Sequence, residues 1–131
     1  MAPSWCYGTP GIARAQQLAA MATGDRRRKL AAETTLVACL ADPAQTGALI
    51  GSGLCHGPAG VLQAVRRVAA DADCPQSFVQ HIDHWTTRVR SASSVAARPS
   101  GLLEGPPGIQ LTLEHPPGPR AADWDTCLAL A

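Results

Sequence analysis

Residues 55–61 read Cys-His-Gly-Pro-Ala-Gly-Val, and two counterparts read Cys-Tyr-Gly-Thr-Pro-Gly-Ile at 6–12 and Leu-Glu-Gly-Pro-Pro-Gly-Ile at 103–109. The first glycines of the three copies are 49 and 48 residues apart. A fixed period of this length is typical of repeated supersecondary units. The chain is therefore predicted to contain three equivalent units, each opened by a glycine pair.

An apolar, helix-like run follows each glycine pair, and a further helix is predicted after each of these runs. Gly24 and Asp25 are typical of a helix end and a helix start, and Asp42-Pro43 is typical of a helix stop. Signals for β-strands are weak throughout. The fold class is therefore predicted to be all-α, with inner and outer helices in alternation. The predicted helices span 12–23, 26–41, 58–71, 75–93, 109–115 and 121–131, with a glycine-rich loop over 43–54.

The repeat also predicts a metal site. If equivalent helices lie side by side around one axis, Cys6, Cys55 and His56 converge at one end of that axis. Two thiolates and an imidazole suit Zn²⁺ and leave a fourth position open, where a substrate cysteine would bind as a nucleophilic thiolate. Each residue alone is more often a small core residue or a polar residue at a helix start. Their matching positions in the repeat favour the zinc site.

Composition and charge exclude several classes of function. The formal net charge of +1 gives no support for a nucleic-acid partner, and no apolar run approaches the roughly 18 residues of a membrane span. The first residues have no signal-peptide pattern. Five widely spaced cysteines do not form a disulfide framework, so a cytoplasmic location is predicted. Cys39 and Cys127 lie in apolar runs and are predicted to be buried.

Other polar residues are weaker candidates for a site. His81 and His84 are expected on a solvated outer face rather than at a metal, and the basic cluster at 25–29 is expected to be solvated. Glu104 occupies the repeat position of His56. It is either a partner of a metal ligand or a carboxylate that stabilises a helix N-terminus.

Residues 5–11 and 54–57, with their Trp-Cys-Tyr-Gly-Thr-Pro-Gly and Leu-Cys-His-Gly motifs, resemble the C-terminal part of lanthionine synthetase C-like proteins, the lantibiotic cyclases. The segment 101–105 and the closing Trp124-Asp125 resemble the end of the same domain. The resemblance covers essentially the whole chain. The paired Cys and Cys-His-Gly motifs are fairly specific, whereas the glycine pairs alone are not.

The resemblance implies an α/α toroid with zinc at its centre, held by Cys6, Cys55 and His56. It implies that zinc activates a cysteine of a precursor peptide, which adds to dehydroalanine or dehydrobutyrine to form a thioether ring. Tyr7 matches a position near the reacting centre of such cyclases. Its phenol either takes part in hydrogen bonding and proton transfer or is a packed ring with a solvated hydroxyl.

The chain also departs from the family pattern. The family domain is longer, and its N-terminal inner helices supply an aspartate and a histidine for proton transfer. Three repeats do not close such a toroid, and Pro106-Pro107 stands where the family has small non-proline residues. The expectation is a single partial domain over residues 1–131, with about three helix pairs. It would be a fragment, a truncated reading frame or half of a split protein, and the flank at Ile12, Leu18 and Met21 would face water.

The expected partners are a ribosomally made precursor peptide and either a chain that carries the missing repeats or a dehydratase. Little or no cyclisation is expected from the isolated chain. Two alternatives remain open at this point. One is a non-catalytic helical module that binds a peptide or a partner, and the other is a decayed fragment without a function.

Overall fold

A computed structural model of the chain describes residues 3–93, 100–114, 116–117 and 123–131. Within these ranges the regular structure is entirely helical, which confirms the all-α prediction. None of the helices in this part of the chain is both long enough and apolar enough to cross a bilayer. The elements in order are α1 (Thr9–Thr23), α2 (Arg26–Ala41), α3 (Pro43–Thr46), α4 (Pro58–Asp71), a 3₁₀ helix (Pro75–Phe78), α5 (Val79–Ala92), α6 (Pro106–Glu114) and a 3₁₀ helix (Trp124–Leu128).

Two of the three inner helices begin between the two glycines of their pair, three residues before the start that the sequence patterns indicated. α1 begins at Thr9 and α6 at Pro106, whereas the predicted helices begin at residues 12 and 109. Proline is well suited to a first helical turn, because the amide it lacks would have no partner within the helix. α4 begins at Pro58 and ends at Asp71, as predicted. His115, the predicted end of the third inner helix, lies outside the described residues.

Residues 43–54 were predicted to form a loop, but the structure places the short helix α3 at the start of this segment. Asp42 ends α2 with an extended backbone, and its side chain then accepts a hydrogen bond from the Ala44 amide at 2.9 Å. Pro43 stands at the first position of α3. The Asp-Pro pair therefore ends one helix and begins another, because aspartate is a strong N-cap residue.

The core is centred on α4, which contacts α1 and α6, while α2 packs against α1 and α5 packs against α4. Ten of its fourteen residues are buried, including the predicted apolar stripe. On α5 the predicted stripe is buried at Trp85 and Val89 and half-buried at Ile82. This arrangement makes α4 the inner helix with an inner neighbour on each side. The closed ring of a toroid stays a prediction.

A tight backbone contact within each turn repeats in all three units. A Cβ atom on Gly11 would overlap the carbonyl oxygen of Trp5, and a Cβ atom on Gly60 would overlap that of Leu54. Gly108 has the same relation to Leu102. In each unit the second glycine of the pair thus packs against the carbonyl six residues earlier. Only glycine permits this approach of a helix to the turn that precedes it.

The C-terminal segment differs from the predicted final helix over 121–131. Within the described residues it forms only the 3₁₀ helix Trp124–Leu128, and Ala129 then takes a positive φ of 54°. Trp5 Nε1 donates to the Leu128 carbonyl at 2.9 Å, and Arg14 Nε donates to the Leu130 carbonyl at 2.7 Å. Both carbonyls belong to the last turn of the predicted helix, which would leave them without a partner inside the helix. The two tertiary hydrogen bonds therefore satisfy them and attach this segment to the first turn and to α1. Residues 121 and 122 lie outside the described residues.

The predicted exposure of the α1 flank is confirmed at Ile12 and Met21, which are exposed, while Leu18 is half-buried. Of the two cysteines that were predicted to be buried, Cys39 is buried but Cys127 is exposed. Cys127 follows Trp124 by three residues in the short 3₁₀ helix, and its thiol donates to the Trp124 carbonyl. The apolar run that contains it therefore does not turn it towards the core.

Substitution of Gly60 by alanine is predicted to destabilise the chain by at least about 3 kcal/mol, because the new methyl group meets backbone rather than a movable side chain. Gly24→Ala is the matched control. Gly24 has a φ of 70° with no neighbouring atom within 4 Å, so alanine there costs only about 1 kcal/mol of backbone strain. Denaturant unfolding followed by circular dichroism measures both changes. Equal losses of stability in the two variants would contradict the role given to this contact.

Candidate metal centre

The three glycine turns lie against one another at one end of the inner helices. The carbonyl oxygen of Leu103 accepts hydrogen bonds from the Leu54 and Cys55 amides at 2.7 and 3.0 Å. Cys6 Sγ donates to the Cys55 carbonyl at 3.2 Å. The second turn is thus bonded to the third, and the first is bonded to the second. Equivalent positions of the repeat meet, as the period predicted.

Cys6, Cys55 and His56 come together at this junction. The two Sγ atoms are 3.2 Å apart, and Cys55 Sγ lies 3.9 Å from His56 Nε2. The three ligand atoms all lie within 4.8 Å of one another. Among the residues that the structure describes, these form the one group of three or more histidine, cysteine or acidic side chains with metal-ligand spacing. The predicted ligand residues are therefore brought together by the fold.

Both thiols act as hydrogen-bond donors in this arrangement. Cys55 Sγ donates to Cys6 Sγ, and Cys6 Sγ donates to a backbone carbonyl. Burial, followed by the neighbouring Cys6 thiol and the Glu104 carboxylate, raises the pKa of Cys55. Without a metal, Cys55 therefore keeps the proton on its sulfur at neutral pH. A cation that binds there must displace this proton, so its affinity would rise with pH.

One residue directly before the first glycine of each unit belongs to a second row of contacts, which consists of Tyr7, His56 and Glu104 in that order. The ring of Tyr7 stacks on the imidazole of His56 with centroids 5.8 Å apart and planes inclined by 28°. On the imidazole itself, Nδ1 lies 3.0 Å from Glu104 Oε1. Tyr7 is 70% exposed, and the His56 and Glu104 side chains are partly exposed. This row therefore borders the cluster on its solvent side, where a ligand from solution can approach.

The donor set suits zinc. Tetrahedral zinc with Zn–S near 2.3 Å and Zn–N near ~2.0 Å separates its ligand atoms by about 3.5 to 3.8 Å. The observed sulfur–sulfur separation of 3.2 Å is shorter than the ~3.8 Å of such a site, and the 3.9 Å from Cys55 Sγ to His56 Nε2 is longer than its ~3.5 Å. All three atoms lie within 4.8 Å of one another, so rotations of these side chains would have to complete the geometry. Soft sulfur ligands also disfavour magnesium and calcium, which prefer oxygen. Three protein ligands leave one position for an external group.

Sequence reasoning did not identify Ser4, which shapes the first turn. Its side chain is buried, and its Oγ accepts a hydrogen bond from the Tyr7 amide at 3.1 Å. The same oxygen lies 4.0 Å from Cys6 Sγ. A serine that bonds an amide three residues later is a common local motif, so this signal was present in the sequence beside the first ligand.

The expectation that His81 and His84 share a solvated face is wrong for His81. His81 is buried and its Nε2 has no hydrogen-bond partner in the described structure, while His84 is exposed and meets the edge of the Trp85 ring. His81 precedes Trp85 by four residues, so both lie on the buried face of α5. Burial, and then the charge of His84, lowers the pKa of His81. No third potential ligand is grouped with this pair among the described residues.

Comparison with known proteins agrees with the repeat and the cluster. A family model described as Lanthionine synthetase C-like protein matches residues 1–129 of the 131-residue chain. Comparisons with curated proteins and with solved structures give no significant match. The matched region contains all three glycine turns and every residue of the cluster. On this match over nearly its whole length, the chain belongs to the lanthionine synthetase C-like family.

Proposed function

We propose that this chain binds one zinc ion through Cys6, Cys55 and His56 and uses it to form thioether bonds in a peptide. The observation that carries the proposal is the convergence of two thiols and an imidazole nitrogen within 4.8 Å, on turns bonded to one another. Membership of the lanthionine synthetase C-like family supports the same chemistry. Zinc bound there would hold an incoming cysteine as a thiolate, the reactive form of its sulfur.

The reaction forms one bond from sulfur to carbon and needs two proton transfers. The peptide thiol loses its proton, its sulfur attacks the β-carbon of dehydroalanine or dehydrobutyrine, and the α-carbon then gains a proton. The chain contributes a ligand cluster that is open to solvent on the side of Tyr7. We assign to the Tyr7 hydroxyl a hydrogen bond to the reacting peptide, because the ring is exposed and stacks on His56.

The surroundings of the cluster fit an extended peptide as the substrate. Exposed apolar side chains lie on the same turns and on the loop before the second turn, namely Tyr7, Ile50, Leu102 and Leu103. Apolar groups beside a reactive centre provide contact area for residues that flank a substrate cysteine. The substrate class is therefore proposed to be a ribosomally made precursor peptide that a dehydratase has modified beforehand.

We further propose that residues 1–131 form a single partial domain of three helix pairs within an α/α toroid. The exposed Ile12 and Met21 on α1 provide an apolar flank against which further repeats of the ring would pack. The family's proton-transfer aspartate and histidine would come from those repeats. A reducing, cytoplasmic environment is part of the proposal, since two thiols 3.2 Å apart must stay reduced to bind the metal.

Zinc content tests the metal site. We expect protein purified under reducing conditions to contain one zinc ion per chain. Cys55→Ala should lose most of it, because two remaining ligands hold zinc weakly. Cys127→Ala is the matched control, since Cys127 is an exposed cysteine outside the cluster. Elemental analysis after dialysis gives the stoichiometry. Absence of zinc from the unaltered chain, or equal zinc in the Cys55 variant, would refute the site.

Binding of a thiol tests the open position. With cobalt in place of zinc, a peptide with one cysteine should increase the sulfur-to-cobalt charge-transfer absorption, and the same peptide with serine should not. The physical reason is that only a thiolate adds a sulfur ligand to the fourth position. Identical spectra with the two peptides would show that the position does not accept a substrate thiol. Peptide binding without any spectral change would favour a non-catalytic binding module.

Cyclisation itself is expected to be slow in the isolated chain, because metal activation and proton transfer make separate contributions to the rate. Loss of alkylatable thiol from a dehydrated peptide measures the reaction, which does not change the mass. Zinc-loaded chain should exceed Cys55→Ala by a small but measurable factor. A rate in the usual range for enzymes, about 1–1000 per second, would show that this chain carries its own proton-transfer groups and would overturn the partial-domain proposal.

A further inference from the structure

We propose that Glu104 is a positioning residue that fixes the proton of His56 on Nδ1 and directs Nε2 towards the two thiols. The proposal deepens the zinc site and rests on it for its functional meaning. Its structural basis is the 3.0 Å contact between His56 Nδ1 and Glu104 Oε1, with Nε2 on the side of Cys55 Sγ at 3.9 Å. Glu104 would act on the metal only through His56.

The chemistry of imidazole makes this contact decisive. A neutral histidine carries one N–H and one free lone pair, on different ring nitrogens. A carboxylate accepts hydrogen bonds and donates none when ionised, so the nitrogen that faces Glu104 must carry the hydrogen. The lone pair of His56 is then on Nε2, the atom that lies near the thiols. Partners of this kind orient metal-ligating histidines and raise their basicity.

The backbone holds Glu104 in register with His56. Leu103 accepts two amide hydrogen bonds from the second turn, and the Gly53 Cα approaches so closely that a Cβ there would meet the Leu103 and Glu104 backbone. One face of the imidazole is covered by the stacked Tyr7 ring, while Glu104 contacts its edge at Nδ1. The His56 side chain is thus constrained on two sides, so the hydrogen bond does not depend on a chance approach of two mobile side chains.

The alternative role of Glu104, as a carboxylate that stabilises the N-terminus of α6, has little chemistry to support it. α6 begins with Pro106 and Pro107, which have no amide hydrogen to donate. The Gly105 amide is already bonded to the Gly101 carbonyl at 2.9 Å. The prolines that depart from the family pattern therefore remove two of the amide donors at the start of α6 that would compete with His56 for this carboxylate.

The third repeat thereby takes one of the two roles that its sequence left open. At the cysteine position of the first two units it has Leu103, which provides no metal ligand. At the next position, however, the three units provide Tyr7, His56 and Glu104, and these side chains contact one another in that order. Two units would supply the ligands, and the third would orient one of them.

The experiment compares the unaltered chain with Glu104→Ala and Glu104→Gln, and uses Glu114→Ala as the matched control. Glu114 is an exposed carboxylate at the other end of α6. Nitrogen-15 NMR at about pH 8 reads the tautomer of His56 in metal-free protein, and signals that disappear in His56→Asn identify the residue. Competition with a chromophoric chelator reads zinc affinity, and circular dichroism shows that each variant is folded.

We expect the hydrogen on Nδ1 in the unaltered chain and in Glu114→Ala, and a shift of the population towards Nε2–H in Glu104→Ala. Zinc affinity should fall about 10- to 100-fold in Glu104→Ala. It should fall less in Glu104→Gln, because the amide oxygen still accepts from Nδ1–H. Rescue by glutamine separates orientation from a general structural effect. Unchanged zinc affinity in Glu104→Ala, or a hydrogen on Nε2 in the unaltered chain, would overturn the proposal.

The two readouts also separate this proposal from the proposed function. If the unaltered chain shows the Nδ1–H tautomer but binds no zinc, the zinc function fails while the orientation of His56 by Glu104 stands. If zinc binds normally but the tautomer is Nε2–H, the zinc function stands and the role of Glu104 is refuted.

Discussion

The contact between a helix and its own preceding turn governs the arrangement of this molecule. In each of the three units the second glycine lies so close to a carbonyl oxygen six residues earlier that no side chain fits between them. The contact sets the direction in which the chain leaves the turn and enters the inner helix. Because it occurs three times with the same spacing, three turns of one shape lie at the same end of three neighbouring helices.

The chemical groups follow from this constraint. The two residues before the first glycine of each unit lie on the outside of the turn, and hydrogen bonds that the Leu103 and Cys55 carbonyls accept join the turns. Cys6, Cys55 and His56 therefore meet although 49 residues separate the two cysteines. The cluster is therefore partly exposed, unlike a closed core, and in the proposed reaction that exposure would give a peptide thiol its access.

Much of this organisation was predictable from the sequence, because the repeat period carries long-range information that local propensity lacks. The helix α4, its apolar face and the convergence of the three ligand residues all followed from the pattern. Glu104 was identified by its repeat position alone, and the pattern left two roles open for it. Only the three-dimensional contact with His56 Nδ1 favours one of them.

The differences arose where tertiary contacts outweigh local patterns. The C-terminal run reads as an apolar helix, but its described part forms only a short 3₁₀ helix, and Trp5 and Arg14 donate hydrogen bonds to its last carbonyls. His81 was assigned to the solvated face of α5 together with His84. It lies four residues before the buried Trp85, however, and shares the buried face with it. Ser4 was missed although its spacing from Tyr7 is that of a common local motif, because such a motif does not by itself indicate a site.

The account depends most on the identity of the atoms that bind the metal, and X-ray absorption at the zinc edge measures them directly. For the zinc-loaded chain, two sulfur atoms at about 2.3 Å and lighter nitrogen or oxygen ligands at about 2.0 Å are expected. This shell corresponds to Cys6, Cys55 and His56 with one external ligand. A shell without sulfur, or one with four sulfur atoms, would contradict the assignment and show that zinc binds elsewhere on the chain.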